Sequence, residues 1–89
     1  MEVKPGIYKH FKGGHVLVLF IAKHSNRDEI EVVYMGLNNK KFYARPLQSF
    51  LEIVKDENDN DTPRFYFIEN ESYLLDAQTK KLYDIFCKN

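Results

Sequence analysis

Hydrophobic and polar residues alternate along most of this 89-residue chain with a period of two. Such alternation is typical of half-buried β-strands, and polar or glycine-containing turns interrupt it about every eight to twelve residues. Paired glycines at 13–14 and paired asparagines at 38–39 are turn residues of this kind. The pattern predicts strands over residues 7–11, 15–23, 29–36, 42–45, 64–69, 72–75 and 81–86.

The second predicted strand, residues 15–23, is apolar on both faces. A strand of this composition lies in the centre of a fold, so another element must cover its second face. The predicted C-terminal hairpin, with strands at 72–75 and 81–86 and a turn at 76–79, is the natural cover.

The spacing of hydrophobic residues changes after residue 45. Pro46 suits a first helical position, and the apolar residues that follow it have helical spacing: Leu47, Phe50, Leu51 and Val54. We therefore expect a short helix over 46–54 and an exposed polar loop over 55–62. Together these elements predict an all-β fold, a small SH3-like antiparallel barrel of five to seven strands that the helix closes at one end.

Length and composition narrow the class of protein. Eighty-nine residues, 44% of them hydrophobic, make one globular domain over 1–89 and exclude a two-lobed enzyme. No apolar run is long enough to cross a membrane, and the N-terminal residues do not resemble a signal peptide. Cys87 is the single cysteine, which excludes an internal disulfide and fits a reducing compartment. We expect a cytoplasmic protein.

The formal net charge is zero, but the charges are unevenly distributed. Residues 1–50 hold eight Lys or Arg against four acidic residues, and residues 51–89 hold five against nine. This asymmetry indicates either an anion-facing surface or two halves that interleave and cancel in the folded chain. The sequence leaves both alternatives open.

The candidate binding residues are basic groups interleaved with aromatic ones. Such a set suits an anion that carries a flat group, whether a nucleotide, a nucleic acid or an acidic peptide. The alternative is a purely structural role, in which Arg45 and Arg64 pair with the acidic segment 52–61 or with nearby carbonyl groups. The candidate set is His10, Lys12, His24, Tyr34, Tyr43, Arg45 and Arg64.

Other chemistry finds little support in the sequence. No acidic residue or nucleophile stands at a catalytic or metal-ligand spacing from a histidine, so we predict no catalytic residue, no metal site and no cofactor. The acidic run at 56–61 lacks the glycine and the final glutamate of a calcium loop. Tyr73, Tyr83 and Phe86 form either an interaction stripe or part of the core.

Several segments resemble a known family. Residues 6–13 fit the pattern G-x-Y-x-H-x-K-G, and further matches follow at 22–25, 32–34, 45–47, 50–52 and 63–65. This order and spacing resemble domain of unknown function 1653 over about residues 4–68. The resemblance implies a small single-domain β fold and implies no activity.

The chain departs from that family at three positions, where Tyr43 replaces Trp, Ser49 replaces Met and Asn26 replaces an acidic residue. Tyr43 puts in doubt any function that needs an indole ring. The appended C-terminal hairpin, residues 72–87, resembles a short motif of large DNA virus proteins, Y-L-x-D-x-x-T-x-x-x-Y-D. The resemblance raises a viral origin, with the host-cell interior or the virion as the location.

These observations favour a non-enzymatic binding module that recognises a protein or another macromolecule through the surface of Tyr34, Tyr43 and Arg45 and through the hairpin tips. The alternative is a small anionic ligand such as a nucleotide, with Arg45 and Arg64 as phosphate partners. Nucleic acid is a weaker alternative because the net charge is zero. We expect no membrane partner, and either a monomer or a homodimer formed through the C-terminal hairpin.

Overall fold

A computed structural model of the protein describes residues 3–68 and 75–87. Over these residues the fold is mostly antiparallel β-sheet. Five strands form one sheet in the order β4-β3-β2-β1-β7, and β5 and β6 form a second, two-stranded sheet. The strands are β1 Gly6–His10, β2 His15–Lys23, β3 Ile30–Gly36, β4 Phe42–Pro46, β5 Ile53–Lys55, β6 Asp61–Pro63 and β7 Phe65–Ile68, and the helices are α1 Leu47–Phe50 and α2 Ala77–Phe86.

Two tight connections set the register of the large sheet. Gly13 and Gly14 join β1 to β2 with φ angles of 102° and 83°, a conformation that glycine adopts without steric cost. Residues 37–41 join β3 to β4, and Lys40 takes the positive φ of 61° there. The Asn39 side chain supports this turn by accepting the Lys41 backbone N–H at 3.0 Å. The turns predicted at 13–14 and 38–39 are confirmed.

The sheet has a buried core on each face. The first core contains Tyr8, Val18, Val32 and Tyr34 from the strands, and the ring of Phe50 from α1 stacks on Phe65 at 4.4 Å. The second core contains Ile7, Leu17 and Leu19, and residues of the C-terminal segment pack on it. The prediction that β2 is central and covered on both faces is confirmed.

The covering element is a helix, so the prediction of a C-terminal hairpin is wrong for residues 75–87. Leu75, Leu82, Tyr83 and Cys87 pack on the second core, and this spacing is helical. The segment read as a turn, 76–79, is the first turn of α2: Asp76 is the N-cap and accepts the Thr79 backbone N–H at 2.8 Å. Residues 72–74, the rest of the predicted hairpin, lie outside the described residues.

Lys40 fastens the start of α2 to the turn between β3 and β4. Its Nζ lies 3.0 Å from Asp76 Oδ2 and donates to Thr79 Oγ1, also at 3.0 Å. The Thr79 backbone and hydroxyl donors, together with Lys40, lower the pKa of Asp76 to about 2. No helix in the described part of the chain is long and apolar enough to span a membrane.

The middle of the chain differs from expectation in two places. The helix expected over 46–54 is the single turn α1, because Ile53 and Val54 pair with β6 instead of continuing it. The expected polar loop over 55–62 is a hairpin, in which Asp56 Oδ1 accepts the backbone N–H groups of Asn58 and Asn60, each at 2.9 Å.

Closure into an SH3-like barrel is not confirmed. Within residues 3–68 and 75–87, β4 and β7 are the two edges of the large sheet and do not pair with each other. The expected homodimer was to form through the C-terminal hairpin, but residues 77–86 form a helix. The oligomeric state stays a prediction.

Candidate functional site

The tips of the β1–β2 and β3–β4 hairpins border a groove on the face of the sheet that carries the first core. Its volume is about 340 Å³. We call it the Arg45 groove. Its central side chains are His10, Tyr34, Tyr43, Arg45 and Phe65, and its rim includes Gly13, Gly14, His15, Asn38 and Asn39.

Arg45 is fixed in this groove by its neighbours. Arg45 is the last residue but one of β4, and α1 begins two residues after it. This places Ser49 of α1 within hydrogen-bond distance of the Arg45 side chain. Its Nη1 donates to Ser49 Oγ at 2.9 Å, and its Nε donates to Tyr34 Oη at 3.3 Å. The guanidinium carbon lies 5.6 Å from the centre of the Phe65 ring. The side chain is therefore positioned before any ligand arrives.

Arg45 differs from the other two arginines in its charge partners. Arg64 Nη2 lies 2.6 Å from Glu52 Oε1, and Arg27 Nη1 lies 3.9 Å from Glu29 Oε2. Among the described residues, Arg45 has no carboxylate within ion-pair distance. Pairing with the acidic segment therefore accounts for Arg64 but not for Arg45. The guanidinium keeps donors that two hydroxyl groups do not occupy.

Two tyrosines form the wall of the groove nearest the sheet edge. The rings of Tyr34 and Tyr43 stack at 5.5 Å with an angle of 27° between them, because the two residues are directly paired across β3 and β4. The Asn39 amide donates to Tyr43 Oη at 2.7 Å. Tyr34 is buried, whereas Tyr43 is 40% exposed. This wall offers a fixed aromatic surface and a hydroxyl at the rim.

His10 lies on the opposite wall, where its ring meets the edge of the Phe65 ring at 5.0 Å. Its Nδ1 accepts the Lys12 backbone N–H at 3.1 Å. Burial, followed by the positive charges of Arg64, Arg45 and Lys12, lowers the pKa of His10. At neutral pH His10 is therefore uncharged, and with Nδ1 acting as an acceptor its proton is on Nε2.

The structure brings four of the seven sequence-predicted site residues together and separates the other three. His10, Tyr34, Tyr43 and Arg45 line the groove. The ammonium group of Lys12 lies 5.7 Å from the Phe11 ring, and Lys12 borders a different hollow beside the β5–β6 turn.

The remaining two residues have structural partners elsewhere. His24 follows β2 at the other end of the strand, where its Nδ1 accepts the Asn26 backbone N–H at 3.1 Å. Arg64 is engaged with Glu52. Neither Lys12, His24 nor Arg64 lines the Arg45 groove.

Three residues that matter to the site were not predicted. Phe65 forms its floor, Ser49 holds Arg45, and Asn39 holds Tyr43. Ser49 and Asn39 each lie four residues along the chain from the side chain with which they form a hydrogen bond. Such a separation has no distinctive sequence pattern. Phe65 could have been found, because it lies in a matched family segment, P-R-F.

The other reactive side chains in the described residues do not form a catalytic or metal-binding arrangement. Cys87 is the C-cap residue of α2 and is half-buried against the second core. Its Sγ lies 3.5 Å from the Val18 carbonyl oxygen, and burial raises its pKa to about 11. A thiol with a raised pKa is a poor nucleophile. No group of three potential metal ligands occurs within residues 3–68 and 75–87.

The fold and the groove define a small antiparallel β-sheet protein with a groove lined by basic and aromatic side chains. Residues 6–67 match the family described as "Protein of unknown function (DUF1653)". The chain belongs to that family, as its motifs predicted. Helix α2 lies beyond the matched residues, and its suggested likeness to viral proteins stays a prediction.

A solved structure agrees with this assignment. The crystal structure of a DUF1653 protein from Bordetella bronchiseptica is 33% identical in sequence, with a TM-score of 0.69. The similarity covers 75% of this chain and 88% of that one. Among curated proteins, none matches the chain.

Proposed function

We propose that this protein is a non-enzymatic binding module that recognises a protein partner through an anionic side chain seated in the Arg45 groove. The observation that carries the proposal is the state of Arg45. Its guanidinium is fixed by the hydroxyls of Tyr34 and Ser49, and no carboxylate pairs with it among the described residues. A cation that is already positioned loses little conformational freedom when an anion binds.

The open shape of the groove favours a side chain of a larger partner over a free metabolite. Small-molecule sites bury most of the surface of their ligand. Here the rim residues Gly13, Gly14, Asn38 and Asn39 are exposed. A partner that needs only one side chain seated can use the exposed ring of Tyr43 as a second contact, and tyrosine is a frequent anchor in protein interfaces.

A small anionic ligand such as a nucleotide is the second candidate. The volume of the groove, about 340 Å³, is within the range of small-molecule sites, and the exposed Tyr43 ring could contact a flat base. The second phosphate partner suggested for such a ligand, Arg64, is already paired with Glu52. That engagement favours the protein partner.

Selection from a library of random peptides displayed on phage tests the proposal. The protein and its Arg45→Gln variant serve as parallel targets, and Arg27→Gln is the matched control because Arg27 lies in a distant turn. We expect the enriched peptides to share an acidic residue. Their affinity for Arg45→Gln should fall at least tenfold, because a hydrogen bond to a charged group contributes about 1.5–3 kcal/mol. Binding to Arg27→Gln should be unchanged.

Thermal melting checks that each variant is folded, and Arg45→Lys replaces Arg45→Gln if the latter is not. The lysine keeps the charge but cannot make the fork-shaped contact of a guanidinium, so we still expect weaker binding. Enriched peptides without acidic residues, or binding that ignores both Arg45 variants, would contradict the proposal. Melting with adenosine monophosphate, inorganic phosphate and single-stranded DNA covers the other candidates, since a bound ligand raises the melting temperature.

A further inference from the structure

Strand β4 is an edge strand of the large sheet and carries Tyr43 and Arg45. Gly36 donates its backbone N–H to the Lys41 carbonyl, so this pair closes the β3–β4 hairpin with a hydrogen bond. In an antiparallel ladder, hydrogen-bonded and non-hydrogen-bonded pairs alternate. The backbone groups of Tyr43 and Arg45 therefore point toward β3, and those of Phe42 and Ala44 point away from the sheet.

Part of this outer edge is uncovered in the described part of the chain. Natural sheets shield such edges with charged side chains, prolines or covering elements. Pro46 removes one donor at the end of β4, but Phe42 and Ala44 each offer an N–H and a carbonyl group. Phe42 is 60% exposed, and among the described residues no hydrogen bond engages the outer side of β4.

The charges on β4 itself and on the turn before it are all positive. Residues 37–46 contain Lys40, Lys41 and Arg45 and no acidic residue. Lys40 is paired with Asp76, whereas the described residues supply no carboxylate for Lys41 or Arg45. Tyr43 and Arg45 point to the groove side of β4, because alternate residues of a strand share a face. A second copy of the chain pairing through its own β4 would bring like charges together, which disfavours that arrangement.

We infer that an extended acidic segment of a partner protein adds to the sheet as a strand beside β4 and reaches Arg45 with a glutamate side chain. This inference rests on the proposed function and names its partner. Backbone hydrogen bonds to Phe42 and Ala44 hold the segment, as in other cases of strand addition. A residue of the segment that lies opposite Tyr43 or Arg45 has its side chain on the groove face.

A synthetic heptapeptide, acetyl-Thr-Val-Thr-Glu-Thr-Val-Thr-amide, tests this inference by NMR on isotopically labelled protein. Two matched peptides accompany it, one with Gln in place of Glu and one with alternate backbone nitrogens methylated on the edge that would face β4. The measurement is the hydrogen exchange rate of the Phe42 and Ala44 amides at millimolar peptide. The Tyr43 and Arg45 amides, already directed at β3, are internal controls.

We expect the Glu peptide to slow exchange at Phe42 and Ala44 at least about tenfold, equivalent to 1.4 kcal/mol of protection. The N-methylated peptide should give no protection, because it lacks the N–H groups that the edge carbonyls accept. The Gln peptide should bind more weakly, and Arg45→Gln should abolish the preference for Glu.

The outcomes separate this inference from the proposed function. If the Glu peptide shifts the groove resonances without slowing Phe42 and Ala44, strand addition is wrong and anion binding stands. If Glu and Gln peptides protect the edge equally, the strand adds but the anionic contact is wrong. Absence of any shift overturns strand addition, as does protection that increases with protein concentration alone, which would show self-pairing. Single-stranded DNA that shifts the groove when the Glu peptide does not would indicate a nucleic-acid partner instead.

Discussion

Helix α2 packs on the second core with one face only, and alanine substitutions on its buried and exposed faces test that arrangement. Leu82 and Tyr83 contact the second core, whereas Ile85 is 70% exposed. A fully buried leucine costs about 2–5 kcal/mol on change to alanine. Leu82 is half-buried, so we expect Leu82→Ala to lower the free energy of unfolding by about 2 kcal/mol.

For a domain of this size, about 2 kcal/mol corresponds to a fall of roughly 8–16 °C in melting temperature. Tyr83→Ala should cause a loss of similar size, and Ile85→Ala should stay within about 0.5 kcal/mol of the unsubstituted protein. Urea unfolding followed by far-ultraviolet circular dichroism measures all three variants.

The comparison of Tyr83 with Ile85 decides between a helix and a strand. In a strand over residues 81–86 these two side chains would share a face and would respond alike. In α2 they lie on different sides of the helix. Equal losses for Tyr83→Ala and Ile85→Ala would therefore refute the helical packing described above.

Three further predictions concern other parts of the chain. Gly6→Ala should lower stability by about 1–3 kcal/mol in urea unfolding, because Gly6 has a φ of 146° and an added Cβ would lie 2.7 Å from Phe67 Cε1; an unchanged midpoint would contradict this. The Cys87 thiol, with its pKa raised to about 11 by burial, should react with a thiol reagent at pH 8 about 100-fold more slowly than an ordinary cysteine. Leu82→Ala should speed that reaction, because it loosens the packing of α2 on the second core. A thiol that reacts fast in the unsubstituted protein would show that the end of α2 does not pack on that core. The pKa of His10 is lower in the folded state than in the unfolded state, so the free energy of unfolding should fall as the pH drops from about 6.5 through the folded pKa. His10→Gln should make the free energy of unfolding depend less on pH over this range. An identical pH profile for the variant would contradict the description of His10.

The sequence predicted the sheet well because most strands keep a period of two, and the one that does not, over 15–23, is a short apolar run bounded by turn residues. The predicted strand over 15–23 coincides with β2, and the turn residues at 13–14 and 38–39 fall where the chain reverses. The family resemblance added independent support for the same region.

The C-terminal segment could not be predicted in the same way, because its apolar residues fit two periods. Leu82 and Phe86 fit a strand, and Leu75, Leu82 and Tyr83 fit a helix. Asp76 begins a turn and caps a helix equally well, since both use its side chain to accept a backbone N–H. Only packing on the second core decides between the two structures.

The site was predicted where its residues lie on paired strands and missed where they meet through turns. Tyr34 and Tyr43 are neighbours because β3 and β4 pair, and Arg45 follows two residues later on the same face. Lys12 and His24 have the right chemistry, but the sequence did not show that they lie away from the groove. For Arg64, the alternative of pairing with the acidic segment 52–61 describes its contact with Glu52. The residues that fix the site, Ser49 and Asn39, act through local geometry that residue type alone does not indicate.

The side-chain Nε–Hε resonance of Arg45 provides the most direct test of an anion-binding groove. A two-dimensional NMR spectrum recorded before and after addition of an acidic peptide from the phage selection shows all three arginines at once. We predict that the Arg45 resonance shifts and that the resonances of Arg27 and Arg64, each already paired with a glutamate, do not. An Arg45 resonance that stays in place while the peptide binds would contradict the central claim.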